Sequence, residues 1–188
     1  MTGGARVPLV ALDDPDSAVQ RVFATFAAEG REPIALYRVL ANAPWLLEAY
    51  SGLARALRYE ATLPRALREL VILRNAQLTG SDYEWSHHRA LAEKAGVPDE
   101  KVAELERWRD SDRFGANERV ALDCAEKVHR LGLDDATFAA VRAELGEPGA
   151  VELIFLCGFY ELVGRVLQGL AVAVEPAYEP YLKLRPTA

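Results

Sequence analysis

Cysteine is scarce in this chain of 188 residues, which holds only Cys124 and Cys157, far apart and outside any C-x-x-C pair. The scarcity argues against a disulfide framework, and the lack of a paired motif argues against a zinc ribbon. Both cysteines fall within predicted helices. We therefore interpret them as small hydrophobic side chains of the core.

An excess of positive charge is also missing. The formal net charge is −6, whereas a nucleic-acid surface needs a basic patch, so we expect no nucleic-acid partner. The N-terminal sequence MTGGARVPLVALDDPDSA lacks the basic flank and the sustained apolar run of a signal peptide. A cytoplasmic location is the expectation that follows.

No long hydrophobic run is free of polar residues. Residues 151–174 come nearest to a membrane span, but Glu161, Arg165 and Gln168 interrupt them at the spacing i, i+4, i+7. Such spacing draws one polar stripe along a helix and places Glu161 to pair with Arg165. We expect a central helix of a soluble bundle or a subunit interface, and no membrane partner.

Period-two alternation, which marks half-buried strands, is absent as well, and helical periodicity dominates. The sequence predicts an all-α protein with a single domain over residues 1–188, because no linker or low-complexity segment divides it. The predicted helices cover residues 17–28, 33–41, 44–60, 64–79, 81–95, 98–109, 117–130 and 135–145, and a long last helix runs from Glu147 to about Val174. The proline-spaced tail that follows is predicted to be extended.

The helices predicted over 64–79 and 81–95 meet at Gly80 and should form an antiparallel hairpin. Glu69 lies eleven residues before Gly80 and His88 lies eight residues after it. The axial offset of three residues corresponds to roughly 4.5 Å, because a helix rises 1.5 Å per residue. If both side chains face the same side of the hairpin, they interact.

Helical periodicity predicts that they do. Glu69 shares its stripe with Ala66, Ile72, Leu73 and Ala76, and His88 shares its stripe with Glu84, Leu91, Ala92 and Ala95. The opposite face of the second helix, which we interpret as solvated, carries Asp82, Ser86, Arg89 and Glu93. Three inward titratable groups are typical of a tuned acid–base site, so Glu69, Glu84 and His88 are the predicted catalytic residues.

Structural roles are possible for the same residues. Ser81 and Glu84 have the spacing of a capping box, in which each side chain binds the other residue's amide. Glu69 could instead neutralise a buried arginine such as Arg74 or Arg165, and His88 could be a hydrogen-bonded core histidine. No H-E-x-x-H pattern accompanies the trio, so we expect no metal ion.

Several neighbours of the trio have a secondary place in the prediction. Tyr83, His87 and Ser81 are assigned to the border of the substrate pocket, with His87 about 100° round the helix from His88. Trp85 is interpreted as a core or interface aromatic. His129 ends its helix, where a positive charge interacts favourably with the helix dipole.

The stretch from Leu63 to Val102, with an acid in R-E-L-V-I-L followed by Y-E-W-x-x-H and A-G-V, resembles the carboxymuconolactone decarboxylase and AhpD-like superfamily. Residues 151–170 resemble its second long helix, so the resemblance covers about residues 40–175, with the N-terminal helices and the tail as extensions. It implies an AhpD-like helical bundle that assembles as a homo-oligomer, a trimer or hexamer, and acts on a small molecule.

The superfamily has two chemical branches. AhpD-type peroxidases carry C-x-x-C and then a histidine, and this pattern would place Ser81 and Glu84 at the two thiol positions and His88 at the histidine. Without thiols there, a dithiol mechanism cannot run. The decarboxylase branch resembles the chain more closely and implies cofactor-free proton transfer on a small carboxylated lactone, with His88 exchanging the proton, Glu69 orienting it and Glu84 as a second acid–base group.

Three other functions stay open beside this one. The chain could be an AhpD-like alkylhydroperoxidase-related protein that has lost its redox dithiol. It could run other acid–base chemistry on the same scaffold, such as isomerisation, lactone hydrolysis or cyclisation. It could also be a non-enzymatic oligomeric binding protein.

Overall fold

The computed structural model describes residues 4–185, and every regular element in that range is helical, which confirms the all-α prediction. In chain order the elements are α1 (Ser17–Ala28), α2 (Ala35–Leu40), α3 (Pro44–Tyr59), α4 (Arg65–Thr79), α5 (Asp82–Lys94), α6 (Asp99–Glu104), a 3-10 helix (Leu105–Asp110), α7 (Ala116–His129), α8 (Asp135–Gly169) and α9 (Glu179–Leu182). None of the described helices combines the length and the apolar character that crossing a bilayer requires.

Capping chemistry explains why the predicted helix ends agree with the structure. The Asp16 side chain accepts hydrogen bonds from the amides of Ala18 and Val19 and starts α1. Pro44 is in the first turn of α3, where its missing N–H costs nothing. Gly80 ends α4 in the left-handed conformation, with φ at 68°.

The structure divides one predicted helix and confirms a predicted break. The helix predicted over 98–109 is split into α6 and the 3-10 helix. The break predicted between residues 145 and 147 is present, because Gly146 interrupts α8 with a φ of 71° and a ψ of 175°. The extended tail was a wrong prediction, because residues 179–182 form α9. Pro180 sits in the first turn of α9, where proline is compatible with a helix.

The described residues form two compact units, one of residues up to 60 together with 167–175, and one of residues 61–166 together with those from 176 onward. In the first unit α3 packs against α1 and α2. The ring of Tyr37 meets Phe26 edge-on at 4.6 Å and Tyr50 at 5.4 Å. The single domain over residues 1–188 stays a prediction.

In the second unit α4 packs against α5 and α7 and lies at the centre of the core. Trp85 is fully buried there, and its Nε1–H donates to the carbonyl of Tyr181 at 3.3 Å, which holds the tail against α5. Cys124 and Cys157 are free and fully buried, as interpreted from the sequence. The core cluster consists of Leu70, Leu73, Ala76, Trp85, Ala92, Val97, Val102, Leu105, Trp108, Phe114 and Leu122.

Candidate active site

The predicted contact between the two helices of the hairpin is present. The Nδ1 atom of His88 on α5 lies 2.8 Å from Oε2 of Glu69 on α4. Gly80 and Ser81 make the turn between them, and the Ser81 amide donates to the carbonyl of Ala76 at 3.0 Å. A single tight turn therefore sets the register that brings the carboxylate and the imidazole together.

Glu69 is 6% exposed, and its Oε1 lies 3.7 Å from Nε of Arg65, one helical turn earlier. The two arginines proposed as alternative partners are engaged elsewhere. Arg74 pairs with Glu126 at 2.7 Å, and the exposed Arg165 lies 3.7 Å from Glu161. The alternative in which Arg74 or Arg165 neutralises Glu69 is therefore not formed, and the carboxylate contacts His88 and Arg65.

His88 is oriented by two contacts. Nδ1 of His88 is hydrogen-bonded to Oε2 of Glu69. The ring of Tyr160 on α8 meets the imidazole edge-on, with ring centroids 4.9 Å apart and an interplanar angle of 88°. A carboxylate accepts only, so Nδ1 carries a proton and the tautomer of the neutral ring is set. Nε2 is then the nitrogen that can exchange a proton with a reactant, and the side chain is 12% exposed.

Glu84 occupies a different environment on the same helix. It is 2% exposed, and within residues 4–185 neither of its carboxyl oxygens has a hydrogen-bond partner. Burial raises the pKa of Glu84 to about 8, while the nearby Ser81 hydroxyl lowers it and the charge of Glu161 raises it further. Glu84 is therefore a neutral carboxylic acid near pH 7, able to donate a hydrogen bond.

Only half of the predicted capping box is formed. The Ser81 hydroxyl accepts the Glu84 amide at 3.4 Å, which caps α5. The Glu84 carboxyl does not accept a hydrogen bond from the Ser81 amide, because that amide donates to the carbonyl of Ala76. Ser81 thus caps α5, whereas the Glu84 side chain takes no part in the cap.

Residues 44–127, which contain this hairpin, match the sequence model described as the Carboxymuconolactone decarboxylase family. The match covers less than half of the chain. The resemblance predicted from Leu63 to Val102 is confirmed, and the structural neighbours include AhpD-like peroxidase-related proteins.

The solved structures that match share the fold, and the comparisons do not establish the reaction. The uncharacterized protein YdfG of Bacillus subtilis (strain 168) is 24% identical over 100 residues, which are 52% of this chain and 68% of YdfG. A crystal structure of the debrominase Bmp8, a cysteine-to-alanine variant in complex with 2,3,4-tribromopyrrole, matches with a TM-score of 0.81 at 22% identity over 97% of each chain. The AhpD core of a peroxidase-related protein from Ralstonia eutropha JMP134 matches with a TM-score of 0.80 at 19% identity over 100% of each chain.

The residues assigned to the pocket border of this family segment are buried beneath the tail. The His87 ring lies between two tyrosines, with centroid distances of 4.1 Å to Tyr83 and 3.7 Å to Tyr178. Nδ1 of His87 is 2.9 Å from the carbonyl of Tyr83. The structure therefore places Tyr83 and His87 in an aromatic stack with the tail and Ser81 at the helix cap, while Glu69 and His88 form their own pair.

Only two of the four residues predicted on the solvated face of α5 are exposed. Asp82 and Glu93 are exposed, but Ser86 and Arg89 are buried, which corrects the prediction. The Ser86 hydroxyl donates to the carbonyl of Tyr83 at 3.0 Å, and Arg89 pairs with Asp99 at 2.7 Å. Because a buried polar group can form hydrogen bonds or ion pairs with residues that the hydrophobic pattern does not identify, the burial of Ser86 and Arg89 was not predicted from that pattern.

Two contacts of α8 were not predicted from the sequence. Oε1 of Glu161 on α8 lies 2.5 Å from Nδ1 of His129 on α7, whereas only the Glu161–Arg165 pairing was predicted. Gly164 lies against Glu84, so that a Cβ built on it would be 2.7 Å from Oε2. A glycine one turn beyond a glutamate, inside a long helix, was the only available signal.

Neither Cys124 on α7 nor Cys157 on α8 has the environment of a reactive cysteine. Burial raises the pKa of Cys124 to about 11 and also raises the pKa of Cys157. A reactive cysteine needs a thiolate, which an electropositive and partly exposed site stabilises. Within residues 4–185, no group of three or more His, Cys, Asp or Glu side chains is arranged to hold a metal ion.

Proposed function

We propose that the protein is a cofactor-free acid–base enzyme of the carboxymuconolactone decarboxylase type, acting on a small carboxylated lactone or a related metabolite. The observation that carries the proposal is the 2.8 Å contact between His88 and Glu69, built into the family's hairpin. Glu84 adds a second acid one turn away on the same helix. A positioned acid–base group typically accelerates proton transfer by about 10²–10⁴-fold.

His88 is the group we assign to the proton transfer. As carbon dioxide leaves, the electron pair of the breaking carbon–carbon bond moves into the lactone carbonyl. The protonated His88 then delivers its Nε2 proton to carbon, and the ring becomes neutral. The negative charge of Glu69 stabilises the imidazolium before transfer and holds the ring so that Nε2 faces the reactant.

Glu84 is assigned to the developing negative charge. A neutral carboxylic acid donates a hydrogen bond that strengthens as charge builds on a carbonyl oxygen, and a buried site enhances this effect. The burial of Glu84, which is 2% exposed, supports the assignment. His88 thus transfers a proton, whereas Glu84 stabilises the developing negative charge by donating a hydrogen bond.

The test is a panel of carboxylated lactones assayed for carbon dioxide release with wild type and His88→Ala. Release by wild type and its loss in His88→Ala support the proposal, whereas turnover without carbon dioxide favours isomerisation, hydrolysis or cyclisation. Binding without turnover favours the binding protein. Because the fold is like that of Bmp8, 2,3,4-tribromopyrrole with a thiol reductant is a suitable comparison substrate, and its debromination would contradict the decarboxylase assignment.

We also propose a homo-oligomer, a trimer or hexamer. Supporting it, α8 exposes Val151, Phe155 and Leu162, which fall on one face of the helix because their spacings are four and seven residues. Light scattering after size-exclusion chromatography gives the assembly. A monomeric wild type would contradict the proposal, and a monomeric Leu162→Glu variant would locate the interface on this face.

A further inference from the structure

A pocket in the first unit is lined by cationic and aromatic side chains. It lies between the end of α1, the turn that follows, α2 and α3, and its volume is about 50 Å³. A cavity of roughly 10–15 Å³ holds one water molecule, so this pocket has room for a group of several heavy atoms. The charges of the lining come from Arg31, Arg55, Arg58 and Glu29, and three positive charges with one negative charge leave +2. The whole chain carries −6, so the pocket is positive against the general charge of the protein.

The end of α1 places Arg31. Gly30 follows α1 with a φ of 68°, a left-handed conformation that glycine adopts without strain. The Arg31 amide then donates to the carbonyl of Phe26 at 3.0 Å, which turns the chain back over the last helical turn. The guanidinium carbon of Arg31 lies 5.2 Å from the centre of the Phe26 ring, within the range of a cation–π contact. The backbone thus fixes the position of this cation.

Helix α3 supplies the other two arginines. Arg55, Arg58 and Tyr59 have the spacing i, i+3, i+4 and therefore share one face of the helix. The guanidinium carbons of Arg55 and Arg58 lie 5.3 Å and 6.0 Å from the centre of the Tyr59 ring. A guanidinium that packs on an aromatic face keeps its N–H donors in the plane of the group, where an oxygen can accept from them. The Tyr59 ring thus positions both cations at the pocket.

Glu29, the acid of the lining, is bound by groups of the pocket itself. Its Oε2 accepts a hydrogen bond from Nε of Arg31 at 3.2 Å, and its Oε1 accepts one from the Tyr59 hydroxyl at 3.5 Å. The hydrogen bond from Arg31 lowers the pKa of Glu29, so the carboxylate stays charged near pH 7. Glu29 therefore orders Arg31 and Tyr59, and its single charge leaves the excess of positive charge in place.

Tyr37 brings a buried hydroxyl to the same pocket. The residue is 7% exposed, and within residues 4–185 its hydroxyl has no hydrogen-bond partner. A buried tyrosine hydroxyl usually has a partner, because removing it from water without one is unfavourable. Burial raises the pKa of Tyr37, so the hydroxyl keeps its proton and is a donor. The pocket therefore offers a neutral donor beside cationic donors, and an oxyanion accepts from both.

We propose that this pocket binds the phosphate or carboxylate group of a small metabolite. The three arginines supply charged donors that match the oxygens of such groups, and the Tyr37 hydroxyl adds a neutral one. The Tyr59 ring is 56% exposed and offers an apolar surface to the rest of the molecule. The site goes beyond the proposed function, because its residues belong to the first unit, whereas the acid–base residues belong to the second.

Isothermal titration calorimetry of the full chain at low salt tests the site. Phenyl phosphate and benzoate are the anionic probes, and benzamide is the neutral probe of similar shape. We expect saturable binding of at least one anion and none of benzamide, and screening by added salt should weaken the binding. Tighter binding of phenyl phosphate than of benzoate identifies a phosphate site, and the reverse order identifies a carboxylate site.

Three variants locate the bound anion. Arg55→Gln should raise its Kd about tenfold, because the variant loses one hydrogen bond from a charged group. Tyr37→Phe keeps the ring and removes the hydroxyl, and it should raise Kd about threefold. Arg21→Gln is the matched control and should keep the wild-type Kd, since it removes the same charge from the same unit outside the pocket, where Arg21 pairs with Glu48 at 2.7 Å. Circular dichroism checks that each variant is folded.

No saturable binding of either anion, benzamide binding as tight as theirs, or an Arg55→Gln Kd equal to that of Arg21→Gln would overturn the site. A Kd that rises in His88→Ala and not in Arg55→Gln would place the anion at the acid–base site and would also overturn it. Binding that depends on Arg55, without carbon dioxide release in the lactone assay, keeps the pocket and rejects the decarboxylase assignment. An unchanged Kd in Tyr37→Phe would remove that hydroxyl from the ligand set.

Discussion

Glu69 and Glu84 are both buried on the inner side of one hairpin, yet their surroundings differ sharply. Glu69 meets His88 at 2.8 Å and Arg65 at 3.7 Å. Glu84 has no hydrogen-bond partner on either oxygen within the described residues, and its pKa is raised to about 8. Burial is similar at 6% and 2%, so the partner decides the role of each carboxyl group.

The comparison shows how one helical hairpin holds two kinds of acid. The Glu69 carboxyl group contacts an imidazole and a guanidinium, so it is placed to stabilise a cation. A buried carboxyl group without a hydrogen-bond partner has a raised pKa and, when neutral, can donate a hydrogen bond.

The largest effect is expected at the member of the pair that exchanges the proton. His88→Ala should lower turnover by about 10²–10⁴-fold, because it removes the acid–base group. The change is measured as kcat on the lactone that wild type decarboxylates. The oligomer should stay intact in light scattering, and full activity in an intact variant would remove His88 from the mechanism.

Glu84 should make the fold less stable at alkaline pH. Between the ordinary carboxyl pKa of 4.5 and about 8, the folded protein holds a proton at Glu84 that the unfolded chain has lost. The free energy of unfolding therefore falls as pH rises through this window, at about 1.4 kcal/mol per unit of pKa difference. Glu84→Gln should remove this loss of several kcal/mol.

Urea unfolding of wild type and Glu84→Gln between pH 4.5 and about 8 measures this loss of unfolding free energy. Glu69→Gln is the matched control, since it makes the same substitution at the paired carboxylate. If the stability curves of wild type and Glu84→Gln run parallel with pH, Glu84 is not a neutral acid and the division of roles fails.

Replacing the paired carboxylate should cost less activity than removing the imidazole. Glu69→Gln keeps a hydrogen-bond acceptor for Nδ1 of His88 but loses the charge that stabilises the imidazolium. A charge-assisted hydrogen bond contributes about 1.5–3 kcal/mol, so kcat should fall on the order of tenfold to a hundredfold. A loss as large as that of His88→Ala would indicate that Glu69 itself carries the proton.

The smallest effect is expected at the helix cap. Ser81→Ala removes the side chain that accepts the Glu84 amide at 3.4 Å. It should lower the free energy of unfolding by about 1 kcal/mol, as for a lost N-cap, and leave kcat near the wild-type value. Thermal unfolding and the carbon dioxide assay together check this. A large loss of activity with unchanged stability would give Ser81 a chemical role.

The sequence was sufficient for the features that are local along the chain. Asp16, Pro44 and Gly80 mark helix ends through their own backbone chemistry. The Glu69–His88 contact follows from counting residues on either side of one tight turn, since a short connection permits only an antiparallel register. The buried cysteines follow from their place in apolar helices.

Only the tertiary structure decided the contacts between elements that are distant in sequence. The pairing of Glu161 with His129, the packing of Glu84 against Gly164 and the stacking of Tyr178 on His87 depend on how helices and tail are rotated about one another. Hydrophobic periodicity reports an inner face when that face is apolar, but it does not report buried polar groups whose partners come from another helix. The sequence by itself therefore determined the hairpin and its Glu69–His88 pair, while packing determined that Glu84 is a neutral acid.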